Sequence, residues 1–212
     1  MTMPDIRFGT DGWRAVIADD YTFDNVRIVA QATADYLKLH NLTSRVVVGY
    51  DTRFLSGSFA GAVAEVMAAN DIPVALTSSF VPTPGLSFAV RELEAGGGIM
   101  ITASHNPARW NGFKVKSNQG GTASPEATAE IEEAIPGIVE ASRVQHLSLG
   151  EAEAGGIVER IDAQTSYIQA IREFVDMDAI RDASLNVLVD SMYGSAQGWT
   201  VAAIGEGATH VR

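Results

Sequence analysis

Apolar residues recur along the chain in two alternating rhythms. Val26, Val29, Ala30, Thr33, Tyr36 and Leu37 fall at helical spacing and predict a helix over about Phe23 to Leu39. Arg45 to Tyr50 predicts a strand. Phe59, Val63, Val66 and Met67 then share one face of a second helix that Ser56 can cap, with Met67 as core filling. Pro73 opens a strand at Val74 to Thr77. Thr83-Pro84 reads as the N-cap and first position of a third helix that buries Leu86, Ala89, Val90 and Leu93. A strand from Gly97 to Thr102 follows, and the alternating Phe113-Lys114-Val115-Lys116 can return as another. Strands alternating with amphipathic helices imply an α/β fold, a three-layer α/β/α sandwich on a mixed, partly parallel sheet.

Further on, Ser124-Pro125-Glu126 starts a helix with Ala127, Ile131, Ala134 and Ile135 as its buried stripe, and Pro136-Gly137 is expected to end it. From Gly137 to Gly156 the chain is polar, acidic and weakly periodic, which marks a long loop or a domain boundary. The expected division is a first domain over residues 1–150 and an incomplete second domain of similar type over 157–212. In the latter, Ala163 to Val175 is helical, Leu185 to Val189 is a buried strand and Asp190-Ser191-Met192-Tyr193-Gly194 its loop. A further helix ends near Gly205, and Thr209 to Arg212 starts another strand. So few elements cannot make a self-sufficient sheet. An apolar edge near Leu185 to Val189 is expected to invite self-association.

The chemistry concentrates between the two returning strands. Gly96-Gly97-Gly98 allows close backbone approach, Ile99-Met100-Ile101 reads as buried, and the chain then changes character to Thr102-Ala103-Ser104-His105-Asn106-Pro107. Pro107 stops regular continuation. A hydroxyl at the carboxyl end of a strand in an α/β protein sits where ligands are usually met. Lys114, ten residues after Ser104, can come back beside it. Ser104 has three readings: a hydrolase nucleophile, a structural loop serine, or a phosphate carrier. His105 is the adjacent residue, and neighbours in extended backbone point to opposite sides, which counts against the first. No Gly-x-Ser-x-Gly elbow surrounds Ser104. An earlier segment, Arg7-Phe8-Gly9-Thr10-Asp11-Gly12-Trp13-Arg14, is a tight turn ending in a guanidinium, and Arg14 can grip phosphate through two parallel hydrogen bonds.

Thr102 to Pro107 with Asn111-Gly112-Phe113-Lys114 resembles the active-serine loop of the phosphohexomutases, the phosphoglucomutase/phosphomannomutase superfamily. The segment Arg7 to Arg14 is similar to the amino-terminal motif of the same superfamily, in the form of its hexose-phosphate branch. The resemblance spans nearly all of residues 6–212 and implies the N-terminal part of a mutase that interconverts hexose 1- and 6-phosphates. It implies a phosphoserine at Ser104, which would also supply one Mg²⁺ ligand through its phosphate oxygens. Lys114 becomes the candidate general acid/base, Arg14 the holder of the reacting phosphate, and His105 and Asn106 the loop supports. Asn106 reads equally well as a plain turn residue. The implied cofactor is Mg²⁺, and the implied partners are a hexose phosphate substrate and glucose 1,6-bisphosphate as activator and intermediate. Arg109 and Trp110 depart from the proline-, acid- or tyrosine-bearing stretch of the family at this position. The family's aspartate-rich metal loop has no counterpart in these residues, so the 212 residues alone are expected to be inactive. The alternative is a non-catalytic folded module carrying a phosphorylatable serine.

Composition narrows the classes. An apolar fraction of 46% suits a chain with a sizeable core. The net charge of −11 argues against a nucleic-acid partner, because phosphate-backbone affinity comes from clustered Lys and Arg. Arg14, Arg53, Arg109, Lys114 and Lys116 nevertheless gather in or near the candidate loops, while Glu126 to Glu140 and Glu151 to Glu159 hold much of the acid. No apolar run approaches a membrane span, and Met1 to Asp5 lacks a signal-peptide layout. The absence of cysteine fits an expected cytoplasmic location. His40, His146 and His210 show no metal-ligand spacing.

Overall fold

The computed structural model describes residues 5–10 and 12–212; Met1 to Pro4, and Asp11 of the first motif, lie outside them. The elements run β1 (Trp13–Val16), α1 (Phe23–Leu39), β2 (Val46–Tyr50), α2 (Ser56–Ala69), β3 (Val74–Thr77), α3 (Thr83–Glu92), β4 (Gly97–Ile101) and β5 (Trp110–Lys116). Then come α4 (Pro125–Ala141), α5 (Leu149–Ala154), β6 (Val158–Ile161), α6 (Ala163–Phe174), α7 (Met177–Asp182), β7 (Asn186–Val187), α8 (Trp199–Ile204) and β8 (His210–Val211).

Six strands form one sheet in the order β1-β5-β4-β2-β3-β6. β4, β2, β3 and β6 run parallel, and β5 is antiparallel to both its neighbours, β1 and β4. Side chains alternate across this sheet, as the period of a strand requires. Val46, Val48, Val74, Leu76, Ile99 and Ile101 pack with α1, α2 and α4 in one core. Val47, Ala75 and Met100 point the other way, into a second core with α3, α6 and α8. Helices therefore cover both faces of a mixed sheet, and the expected three-layer α/β/α architecture is the one the chain forms.

Five local expectations differ from what forms. Helix α4 does not stop at Pro136 but runs on to Ala141, ending where Ser142 adopts a left-handed turn with its N–H on the Val139 carbonyl at 3.2 Å. A proline inside a helix costs about 3 kcal/mol. Ile135 and Ile138 on either side of it are buried in the first core, each contributing about 2 kcal/mol, so packing outweighs the lost bond. Ser56 does not cap α2. Leu55 turns left-handed ahead of it, and the Ser56 hydroxyl instead donates to Asp51 Oδ1 at 2.7 Å. Thr83 is the first residue of α3 rather than its cap, and Pro82 holds the cap position.

A fourth difference concerns residues 137–161. The expected loop contains α5, whose capping box pairs Ser148 with Glu151, and β6 then extends the first sheet beside β3. The Ser-x-x-Glu signature was present in the sequence. Beyond it, α6 and α8 pack on α3. The Trp199 indole lies against Gly85, where an added Cβ would stand 2.6 Å from the ring, and Tyr167 bridges Trp199 to Phe88 at centroid distances of 5.4 and 5.7 Å. β7 and β8 form a separate two-stranded parallel sheet. The strand expected to be buried over Leu185 to Val189 is only Asn186–Val187, with Leu188 76% exposed.

Candidate active site

The site is built at the carboxyl ends of β4 and β2, adjacent parallel strands at the middle of the sheet. The ladder continues one step past β4, with the Thr102 N–H on the Gly112 carbonyl at 2.9 Å. Gly112 is required there. A Cβ would stand 2.6 Å from the Thr102 carbonyl oxygen and 2.9 Å from that of Trp13, because β1 and the start of the loop close in from both sides. After Thr102 and Ala103, both buried, Ser104 turns left-handed with φ 57° and stands exposed. Its N–H donates to the Thr102 hydroxyl at 3.0 Å. A serine in this conformation stores roughly 1 kcal/mol, which the surrounding loop must hold.

That turn changes one reading made from sequence. Extended backbone would have sent Ser104 and His105 to opposite sides, but the left-handed residue brings Ser104 Oγ to 3.4 Å from His105 Nδ1. Asn106 donates its N–H to the Ala103 carbonyl at 3.1 Å, and Trp110 to that of Pro107 at 3.0 Å, so the loop is two linked turns.

The other sequence candidates are placed by β1 and β5. Arg14 pairs with Gly112 across the antiparallel ladder, and its guanidinium donates to Asn106 Oδ1 at 3.2 Å. Lys114 is buried on β5 opposite Met100, two rungs in from the loop, and does not line the cleft that Ser104 faces. The first motif meets it from behind. Gly12, at φ 104°, would place a Cβ 2.9 Å from the Lys114 Cα and 2.3 Å from the Phe113 carbonyl oxygen. Ser104, His105, Asn106 and Arg14 thus share one end of the sheet, with Lys114 below them.

A cleft of about 650 Å³ opens over the loop. On one side it is lined by Asp51 to Phe54, Thr102 and Ser104 to Asn106, and on the other by Met192 to Ser195. That size lies within the range of small-molecule sites. The far wall was read from sequence only as a strand's loop. It is tied across by the Thr52 hydroxyl, which donates to the Tyr193 carbonyl at 2.8 Å.

Asp51 is the site residue that sequence reasoning left without a role, and Arg53 was read only as one of the basic residues near the candidate loops. Arg53 donates from Nη2 to the carbonyls of Ser104 (2.7 Å) and Asn106 (2.6 Å), and from Nη1 to those of Pro107 (2.9 Å) and Trp110 (3.0 Å). Its Nε lies 3.3 Å from Asp51 Oδ2. Asp51 Oδ1 accepts from the Arg53 N–H at 2.9 Å and from Ser56. Asn111, fully buried, donates to the Ser56 hydroxyl at 2.9 Å and accepts from the Gly112 N–H at 2.8 Å. Burial first, and the Asp51 charge second, push the Tyr21 hydroxyl well above the ordinary phenol range. The available signal was position: Asp51-Thr52-Arg53 directly follows a strand parallel to β4, and such strand ends collect ligand loops.

An α/β/α sandwich with a polar serine loop at its central strand ends is the class that fold and site define. Residues 5–141 match the family described as phosphoglucomutase/phosphomannomutase, alpha/beta/alpha domain I, and the chain belongs to that family. It is 34% identical over 197 residues to a phosphoglucomutase of Staphylococcus saprophyticus, covering 90% of this chain and 35% of the relative. A phosphoglucomutase of Komagataeibacter xylinus is 30% identical over 202 residues, covering 90% and 36%. Among solved structures, that of a putative phosphomannomutase from Thermus thermophilus superposes with a TM-score of 0.84 at 36% identity, over 100% of this chain and 46% of that one. A phosphoglucomutase/phosphomannomutase family protein from Burkholderia thailandensis shares the fold, with a TM-score of 0.76 at 23% identity over 97% and 43%. The chain therefore spans about a third of the length of these curated relatives and under half of these solved neighbours.

Proposed function

We propose that these 212 residues are the N-terminal portion of a phosphohexomutase that interconverts hexose 1-phosphate and hexose 6-phosphate through a phosphoserine at Ser104. One observation carries the reading: an exposed serine hydroxyl, held in a left-handed turn at the end of a central strand, facing a cleft of about 650 Å³. The names of the relatives support it, as isomerases of carbohydrate metabolism.

In the proposed reaction the bond between phosphorus and Ser104 Oγ breaks as a bond forms from phosphorus to the free hydroxyl of a hexose monophosphate. The hydroxyl gives up a proton and Ser104 Oγ gains one. The resulting bisphosphate turns over in the site and returns its other phosphoryl group to Ser104. Glucose 1,6-bisphosphate is then both intermediate and activator. Phosphoryl transfer depends on in-line positioning and charge neutralisation more than on covalent chemistry. Arg14 is assigned to the reacting phosphate, and Asn106, which accepts from it, keeps its guanidinium at the loop. His105, 3.4 Å from Ser104 Oγ, is assigned a hydrogen bond to the phosphoserine. Lys114 is proposed for the proton transfer on the family resemblance alone, since it is buried on β5 and does not line the cleft.

Mg²⁺ belongs to this reading through the phosphoserine oxygens, and when bound it would neutralise charge on the transferring group. The described residues do not by themselves fit the ion. Among them no group of three or more His, Asp or Glu could hold a metal, and Asp51, the acid of the cleft, is engaged by Arg53 and Ser56. These 212 residues alone are accordingly expected not to turn over substrate. A cytoplasmic location is part of the same proposal; among the described residues no helix is long and apolar enough to cross a membrane.

Incubating the full gene product with glucose 1,6-bisphosphate should add one phosphate, mapping to Ser104, and Ser104→Ala should abolish it. Label at another residue would overturn the assignment. Phosphate accepted at Ser104 from a protein kinase, with none from the sugar bisphosphate, would favour the non-catalytic module.

A further inference from the structure

We propose that Arg53 is the positioning residue of the serine loop, fixing the direction of the Ser104 hydroxyl without touching substrate; this rests on the phosphoserine reading above. A guanidinium carries five N–H donors in a planar fork. In Arg53 all five are placed. Four go to the carbonyls of Ser104, Asn106, Pro107 and Trp110, and Nε faces Asp51. The side chain is only 13% exposed, so an incoming phosphate would find neither a free donor nor an open face. A cation lining an anion-binding cleft would ordinarily be read as a substrate contact. Here the donor count assigns it to the backbone instead.

The four carbonyls bracket the turn from Ser104 to Trp110, which is most of the segment after β4 and the first residue of β5. Ser104 is held at φ 57°, a conformation unfavourable to any residue with a Cβ, and its own carbonyl carries one of the shortest of the four bonds. Arg53 is in turn fixed by Asp51, whose other oxygen is held by the Arg53 N–H and by Ser56, and Ser56 by the buried Asn111. The chain of contacts thus returns to the Asn111-Gly112 segment that closes the loop. Lysine cannot replace this arrangement. It has the charge, but three donors around a point and no planar fork.

The test uses Arg53→Lys and Arg53→Ala, each read in two ways. Hydrogen exchange on the 212-residue protein should show amides of residues 104–110 opening at least about tenfold faster in both variants, with those of β2, β3 and β4 unchanged. In the full gene product, the maximal rate of Ser104 phosphorylation by glucose 1,6-bisphosphate should fall by about one to two orders of magnitude, with the half-saturating concentration changed by less than about threefold. Millimolar guanidinium should restore loop protection and rate in Arg53→Ala but not in Arg53→Lys, which has no vacant fork-shaped site. A raised half-saturating concentration at an unchanged maximal rate would make Arg53 a substrate contact and overturn the proposal. Unchanged exchange over residues 104–110 would overturn it as well. Should the wild-type protein take no phosphate at Ser104, the mutase reading fails, while exchange and guanidinium rescue still decide whether Arg53 fixes the loop.

Discussion

Truncating Trp199 to alanine should loosen the far wall of the cleft while leaving the six-stranded sheet folded. The indole is 6% exposed and sits in the second core, against Gly85 of α3 and 5.4 Å from the Tyr167 ring of α6. A tryptophan buries about 200 Å². At about 25 cal/mol per Å² that amounts to about 5 kcal/mol, of which the alanine methyl retains about 1 kcal/mol. The expected loss is therefore about 4 kcal/mol, within the usual range of about 3–5 kcal/mol for such a truncation. It should fall on α6 and α8, because the sheet's first core contains no part of Trp199. Hydrogen exchange resolved by segment is the assay: amides of residues 163–174 and 199–204 should approach the rates of open chain, and those of β2 and β4 should not. Leu188→Ala is the control. That side chain is 76% exposed and should change stability by less than about 0.5 kcal/mol. A loss below about 1 kcal/mol in Trp199→Ala, or equal deprotection of β2, would refute the view that this indole docks α8 onto α3 and α6.

Two further outcomes follow from single contacts. Gly112→Ala should cost about 2–3 kcal/mol by chemical denaturation, since its Cβ would press on two carbonyl oxygens of the flanking backbone, and near-wild-type stability would show that those strands can part without penalty. Asp162 caps α6, and its carboxyl is held below the ordinary range by the Thr165 hydroxyl first and by the Gln164 N–H. A lowered folded-state value means the stabilisation is complete above the unfolded value and fades as pH falls through the folded one. Asp162→Ala should therefore cost about 1 kcal/mol at neutral pH and less once the wild-type carboxyl is protonated, and a pH-independent difference between the two proteins would refute the charged cap.

The fold was legible wherever burial imposed a clean period. Helix α1 carries its stripe at helical spacing and is capped by Thr22; β2 and β4 are apolar runs because helices cover both faces of the sheet. What stayed hidden was set by distant packing. Pro136 argues locally for an end, yet Ile135 and Ile138 hold α4 together across it. β6 is four residues with two exposed charges, Glu159 and Arg160, and only its pairing with β3 makes it a strand. In the site, motif residues were readable because they are contiguous, from Thr102 to Asn106. Arg53 was not, because its partners are the carbonyls of residues that lie 51 to 57 positions away, and a backbone oxygen leaves no mark in sequence.

The same distinction bears on how an acidic chain could receive the anionic sugar proposed for it. At a net charge of −11 the protein as a whole repels such a ligand, but exposed charges farther away than about 8 Å are largely screened at physiological salt. Much of the acid sits on α4, α5 and β6, and none of these elements lines the cleft, so what matters is the balance within it. There the sequence suggested a cluster of arginines and lysines with one purpose. The geometry divides them. Arg53 is neutralised by Asp51 and saturated by carbonyls, and Lys114 is buried below the loop. Under the proposed reading Arg14, bonded to Asn106 at the loop itself, is the cation assigned to the phosphate, with His105 beside the serine. The end of the sheet that carries Ser104 can thus be rich in positive charge and still offer little of it to a ligand, because Arg53 is committed to the carbonyls of the serine loop and Lys114 is buried.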